Sequence, residues 1–159
     1  MIAYNRSLTL LDNYDHQSFE LPNGSKDVYR IEYNECLDIV KRSKFTGKND
    51  NFGKERDKSF DSSISTIYQT YDGKELYPTL EQKAAMLLYL VTKNHSFIDG
   101  NKRIASTVFL YFLDRNKSLF VDGRKWISDD TLATLTILIA ASNPKDKDII
   151  INLILAILN

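Results

Sequence analysis

The chain has no charge surplus of either sign: 21 Lys and Arg are matched by 21 Asp and Glu. That balance excludes a global basic surface able to neutralise many nucleic-acid phosphates and leaves room only for local basic sites. No nucleic-acid partner is expected. Cysteine is scarcer still. Cys36 is the only one, so no intramolecular disulfide can form, which fits a reducing compartment; a buried, inert thiol is the expected role. Long apolar runs are missing as well. The longest, TVFLYFL at 107–113 and IIINLILAIL at 149–158, fall well short of the ~20 residues of a bilayer-spanning helix. The N-terminal residues interrupt every apolar stretch before a signal-peptide core can form. A cytoplasmic protein without a membrane segment is therefore expected, and the Asn-x-Ser sequons at Asn5, Asn94 and Asn116 are read as chance. Internal repeats and low-complexity tracts are also absent.

What is present is a 159-residue chain with 43% hydrophobic residues, enough to build a sizeable core, and a single domain over 1–159 is the expectation. A weak helical stripe, Leu8, Leu11 and Tyr14, precedes a turn-rich break at 22–27. Ile31, Cys36, Ile39 and Val40 predict a helix over about 33–43. The segment 46–59 is polar apart from Phe52 and carries two glycines, as an exposed loop or small hairpin would. Phe60, Ile64 and Ile67 predict a short helix, followed by a turn at 71–78. Thr79 and Gln82, directly after Pro78, form a capping-box signature for a helix running to about Asn94. Ile104, Val108 and Phe112 recur at four-residue steps from about Asn101 and predict a helix apolar all round in its middle, the expected central helix of the fold. A break at 117–128 suits a short extended piece. Ser128 then caps a helix to about Ala141, and Asn143-Pro144 opens the last one. The sum is a mainly α fold of about six or seven helices.

Between two of those helices lies HSFIDGNKRIAS, residues 95–106. A helix N-terminus is an anion site, because its first amides lack intrahelical acceptors and the dipole favours negative charge. Gly100 lets the backbone approach a ligand, and Asn101, Lys102 and Arg103 add donors and positive charge at the same place. His95 has an ordinary pKa near ~6.5 and can take a proton at neutral pH. Asp99 is the natural hard-oxygen ligand for magnesium bridging phosphates. Each residue also has an ordinary reading: a histidine at a helix end is often a cap, Asp-Gly a common turn, and Lys102 and Arg103 solvated charges. Their conjunction within nine residues points to phosphate chemistry. A P-loop sequence is absent, and His95, Asp99 and the distant His16 make a poor zinc set.

His95, Phe97, Asp99, Gly100, Asn101, Lys102 and Arg103 spell His-x-Phe-x-Asp-Gly-Asn-Lys-Arg, which resembles the signature of Fic/Doc (Fido-domain) proteins. The residues FGKERDKSFDSSISTIYQT and LYPTLEQKAAMLLYLVTKNHSF upstream resemble the Doc side of that family, so the likeness covers at least 52–115. The flanks at 8–17 and 136–148 resemble Fic domains attached to RhuM-type virulence proteins. The resemblance implies an α-helical bundle with a β-hairpin flap, here 46–59, beside an active-site loop, here 95–103. It implies an ATP- and Mg²⁺-dependent transferase acting on a hydroxyl of a target protein. In that reading His95 is the general base, Phe97 anchors the loop in the core and Asp99 holds Mg²⁺. Gly100, Asn101 and Lys102 form the phosphate-binding nest, and Arg103 contacts the phosphate chain. Phe52, Gly53 and Lys54 belong to the flap that aligns the target by backbone pairing.

Two departures bear on which group is transferred. AMP-transferring members usually carry glycine where this chain has Lys102, and a second arginine where it has Ser106. Lysine at the first position is typical of Doc-type members, associated with phosphate transfer to a translation factor from a nucleotide bound in the reversed sense. Gly100 is retained as in AMP-transferring members. Phosphate transfer is the expectation, with AMP transfer by the same site and a non-catalytic nucleotide- or partner-binding module as alternatives. Some members inhibit themselves with a Ser/Thr-x-x-x-Glu helix. None of the glutamates here has Ser or Thr four residues before it, so restraint is expected from a partner such as an antitoxin, an appended domain or cellular context.

Overall fold

The computed structural model describes residues 5–47 and 50–159. Among them seven α-helices and two short hairpins follow in the order α1 (Asn5–His16), α2 (Tyr33–Lys41), α3 (Ser59–Thr66), β1 (Thr70–Tyr71), β2 (Lys74–Glu75), α4 (Leu80–Lys93), α5 (Asn101–Arg115), β3 (Phe120–Val121), β4 (Arg124–Lys125), α6 (Asp129–Ala141) and α7 (Lys147–Ile157), the last entered through a 3₁₀ turn at Pro144–Asp146. The mainly helical expectation holds, and no helix among the described residues is long and apolar enough to cross a membrane.

The caps act where the sequence placed them. Thr79 Oγ1 accepts from the Gln82 N–H at 3.1 Å, and Gln82 Oε1 accepts from the Thr79 N–H at 3.1 Å, closing the box at the start of α4. Ser128 accepts from the Thr131 N–H at 3.1 Å at the start of α6. Each satisfies a donor that the helix leaves orphaned.

The central helix is α4, not α5 as the periodicity of 101–115 suggests. It packs against α3, α5, α6 and α7, and nearly its whole length is buried, including Glu81 and Lys83. α5 keeps Lys102, Arg103 and Asp114 exposed. The misreading has a physical cause, since buried charges in α4 look like a solvated face in the sequence. Lys83 is fully buried because Asp27 at 3.0 Å, Glu75 at 3.1 Å and the Tyr77 carbonyl at 2.7 Å surround its ammonium. The Glu81 carboxylate accepts from the Ser25 N–H at 2.7 Å and also from the Ser25 hydroxyl. Segment 22–31 is thereby strapped across the start of α4.

The two hairpins pair Tyr71 with Lys74 and Val121 with Arg124. Neither lies in 46–59, where the flap hairpin was expected. Described residues there carry isolated bridges to the loop at 95–103, Phe52 to Asp99 and Glu55 to Phe97. Lys48 and Asn49, at the middle of that segment, lie outside the described residues. Cys36 is fully buried, and burial pushes its thiol up to about 12, as an inert core cysteine requires.

Candidate active site

The loop that joins α4 to α5 is held from below by an aromatic plug. Phe97 is fully buried, its ring 4.9 Å edge-on from that of Phe60 on α3. This fixes the centre of the loop, as a core anchor should. Asn101 fixes its shape. Its Oδ1 accepts from the Phe97 N–H at 2.9 Å and its Nδ2 donates to the Phe97 carbonyl at 2.8 Å. The Asn101 side chain is thus engaged by the loop's own backbone, and what it offers an anion is its main-chain amide.

Gly100 begins α5 with φ +92°, a left-handed backbone that favours glycine. A Cβ there would lie 2.4 Å from a ring atom of Phe52. The first intrahelical bond runs from the Ile104 N–H to the Gly100 carbonyl at 2.8 Å, and no side chain caps this end. The amides of Asn101, Lys102 and Arg103 therefore open the helix without intrahelical acceptors, and the dipole adds positive potential.

Segment 52–56 lies along the loop. Gly53 N–H donates to the Asp99 carbonyl at 3.2 Å, Ile98 N–H to the Lys54 carbonyl at 2.9 Å, and Arg56 N–H to the Ser96 carbonyl at 2.8 Å. Phe52 is buried, whereas Lys54 is exposed. One edge of this strand-like segment is engaged by the loop. Tyr33 on α2 braces it by donating to Glu55 at 2.6 Å, a bond that pushes the phenol up to about 12.

The charged residues sit on the outer side. Arg103 Nη2 is 3.2 Å from Asp99 Oδ2, and its guanidinium lies 4.6 Å from the Phe45 ring centre and 4.9 Å from that of Phe52. These contacts aim a flexible cation. Lys102 and Arg103 border a groove of about 370 Å³ between α5 and α6, with Phe45, Ser106, Thr136 and Ile137 among its walls. Thr136 donates its hydroxyl hydrogen to the Leu132 carbonyl at 2.7 Å. Ser106, 3.1 Å from Thr136 Oγ1, must then be the donor of that pair and turns only lone pairs to the groove.

His95 is exposed on the same loop, directly after Asn94, the cap at the end of α4, and its backbone is left-handed at φ +47°. Among the described residues no three His, Cys, Asp or Glu side chains form a metal-binding group. Magnesium fits this donor set in one way only: Asp99 would give a single carboxylate and the nucleotide phosphates and water the rest, the usual arrangement for that ion. Its chemistry would be to offset charge on the phosphates.

Sequence reasoning missed Phe45, which follows the helix expected over 33–43, and the pairing of Ser106 with Thr136. Only chain crossings bring these together.

The Fic/DOC family model matches residues 30–113, more than half of the chain and the whole of this site apart from the α6 wall of the groove. The chain belongs to the Fic/DOC family. A stretch of 56 residues is 39% identical to the protein named Toxin Doc from Mycolicibacterium smegmatis, covering 35% of this chain and 43% of that protein. The match thus spans less than half of that relative. No solved structure matches.

Proposed function

We propose that the chain is a Fic/Doc-type transferase that moves the terminal phosphate of ATP to a hydroxyl of a target protein. The observation that carries the reading is the uncapped N-terminus of α5, flanked by Lys102 and Arg103, with an exposed histidine on the loop that leads into it. Backbone amides and two cations can hold a polyphosphate there. The hydroxyl oxygen attacks the γ-phosphorus and the hydroxyl proton passes to an imidazole nitrogen of His95. The bond from the γ-phosphorus to its bridging oxygen breaks, and ADP leaves with that oxygen. Asp99 would hold Mg²⁺ against the phosphates, and the outer edge of Phe52, Gly53 and Lys54 would align the target segment.

Lys102 and Ser106 favour phosphate over AMP transfer, and Gly100 is neutral. Lys102 brings a side chain to the groove where glycine would leave room. Ser106 has already given its hydrogen to Thr136, so it cannot donate to a phosphate. Gly100 is demanded by the Phe52 ring and by its own φ, so its presence does not speak for the AMP-transferring pose. The groove of about 370 Å³ along Phe45 and Ile137 suits an uncharged nucleoside end better than a triphosphate tail. The likeness to a protein named Toxin Doc supports a toxin restrained by an antitoxin partner.

Incubation with γ-labelled and, separately, α-labelled ATP and a bacterial lysate tests the reading. Label is expected on protein from the γ position only, and none with His95→Ala. Transfer of α label would select AMP transfer by the same site. Nucleotide binding with no transfer of either label would select a binding module.

A further inference from the structure

His95 lies between two neighbours that are both tied to the start of α3. Ser96 is fully buried, and its Oγ lies 2.6 Å from Ser59 Oγ. Ser59 donates its own hydroxyl hydrogen to Asp57 Oδ1 at 2.5 Å, with the Ser59 N–H on the same oxygen at 2.9 Å. A hydroxyl has one hydrogen, so Ser96 is the donor to Ser59 and the chain runs in one direction, Ser96 to Ser59 to Asp57. On the other side, Asn94 Nδ2 donates to Ser63 Oγ at 2.8 Å, and Ser63 donates to the Ser59 carbonyl at 2.9 Å. Arg56 adds its N–H to the Ser96 carbonyl at 2.8 Å and its guanidinium to the His95 carbonyl at 3.5 Å.

Two donor chains thus converge on Ser59 from the residues on either side of the histidine. The residue between them holds φ +47°, a conformation that costs a non-glycine side chain free energy and persists only where its surroundings over-determine it. What these bonds hold is the backbone before and after the imidazole, not the ring itself. Phe60, the residue after Ser59, packs on Phe97, so the same turn of α3 also meets the loop's core anchor.

We propose that Asp57, Ser59 and Ser63 form a positioning cradle that locks the backbone of His95 in its left-handed conformation and so aims the imidazole outward. The cradle acts through Asn94 and Ser96; none of its members touches the reacting atoms. The inference rests on the reading of His95 as the base, yet the backbone lock has a readout that does not depend on activity. A purely structural role for these hydroxyls would lower stability and leave the His95 backbone and the rate constants alone.

The test uses Ser59→Ala, Ser96→Ala and Asp57→Asn in the full chain, with Ser59→Thr as the conservative rescue. The three-bond amide-to-Hα coupling and the ¹³C shifts of His95 report its φ in the protein without nucleotide. Label transfer from γ-labelled ATP reports kcat and KM. Ser59→Ala and Ser96→Ala should move the His95 signals toward those of a mixture of conformations. They should lower kcat by about tenfold to a hundredfold, the scale of a small misplacement of a catalytic group, with KM for ATP within about twofold, and Ser59→Thr should restore both. Asp57→Asn is exposed and safe for folding, and should give the same change more weakly. If the His95 signals and kcat are unchanged in folded variants, the cradle is overturned. If the His95 signals move while wild-type and His95→Ala proteins transfer label equally, the cradle stands and the base assignment falls.

Discussion

Phe52 occupies the volume that any side chain on Gly100 would need, its ring atom 2.4 Å from the position of a Cβ. The ring also carries the Arg103 guanidinium 4.9 Å from its centre. One aromatic from the segment before α3 therefore sets both the backbone at the mouth of α5 and the aim of a cation beside it.

Gly100→Ala should cost about 1 kcal/mol for the left-handed backbone and ~1–3 kcal/mol for the overlap with Phe52. Urea denaturation of Gly100→Ala, Phe52→Ala and the double variant would measure the coupling. The double variant should be less destabilised than the sum of the two. Strict additivity would show that the ring does not dictate the glycine.

Asn101→Ala removes both partners of the Phe97 peptide in a buried part of the loop. A loss of ~1–3 kcal/mol is expected for the groups left unpaired. Asn101→Asp keeps the acceptor for the Phe97 N–H and loses the donor to its carbonyl, so its stability should fall between the two. An Asn101→Ala protein as stable as wild type would rule out the clamp.

His95 offers a stability test of its own strain. At φ +47° glycine is the better residue, so His95→Gly should be about 1 kcal/mol more stable than His95→Ala by thermal or urea unfolding. Both should lack transfer activity. Alanine equal to or above glycine would mean that the left-handed backbone is not kept in solution.

The buried ammonium of Lys83 predicts an acid-sensitive fold. Lys83, and after it Lys26, hold the Glu75 carboxyl below its ordinary value by hydrogen bonding. A carboxyl lowered in the folded state stabilises at pH above the usual glutamate range, and that contribution is lost as pH falls through the folded-state value, beginning below pH about 4.5. Glu75→Gln should lower stability at neutral pH and flatten this acid decline, measured by urea midpoints across the range. Lys83→Ala should cost ~3–5 kcal/mol at neutral pH, since Asp27 and Glu75 lose their common partner. A Glu75→Gln profile as steep as wild type's would place the acid sensitivity elsewhere.

The candidate loop at 95–103 stood out in the sequence because its chemistry is local. His95, Asp99, Gly100, Lys102 and Arg103 fall within nine residues, and the Thr79 capping box fixes the helix that delivers them. Asn101 was legible as a member of the loop but not as its clamp, because its partner is a backbone group and backbone groups have no sequence signal. The centrality of α4 was hidden for a related reason. Lys83 and Glu81 read as surface charges, and only segment 22–31 and the first hairpin, brought across by the fold, make their burial tolerable.

The amino-acid order by itself determined the helices, their caps and a glycine turn that opens an uncapped helix with a histidine before it, since each depends on residues a few positions apart. Tertiary structure alone decided that Phe52 enforces Gly100, that Ser106 gives its hydrogen to Thr136, and that Ser59 gathers both neighbours of His95. Those relationships join residues tens of positions apart, and they exist only once packing of the apolar faces brings α3, α5, α6 and segment 52–56 to one end of α4.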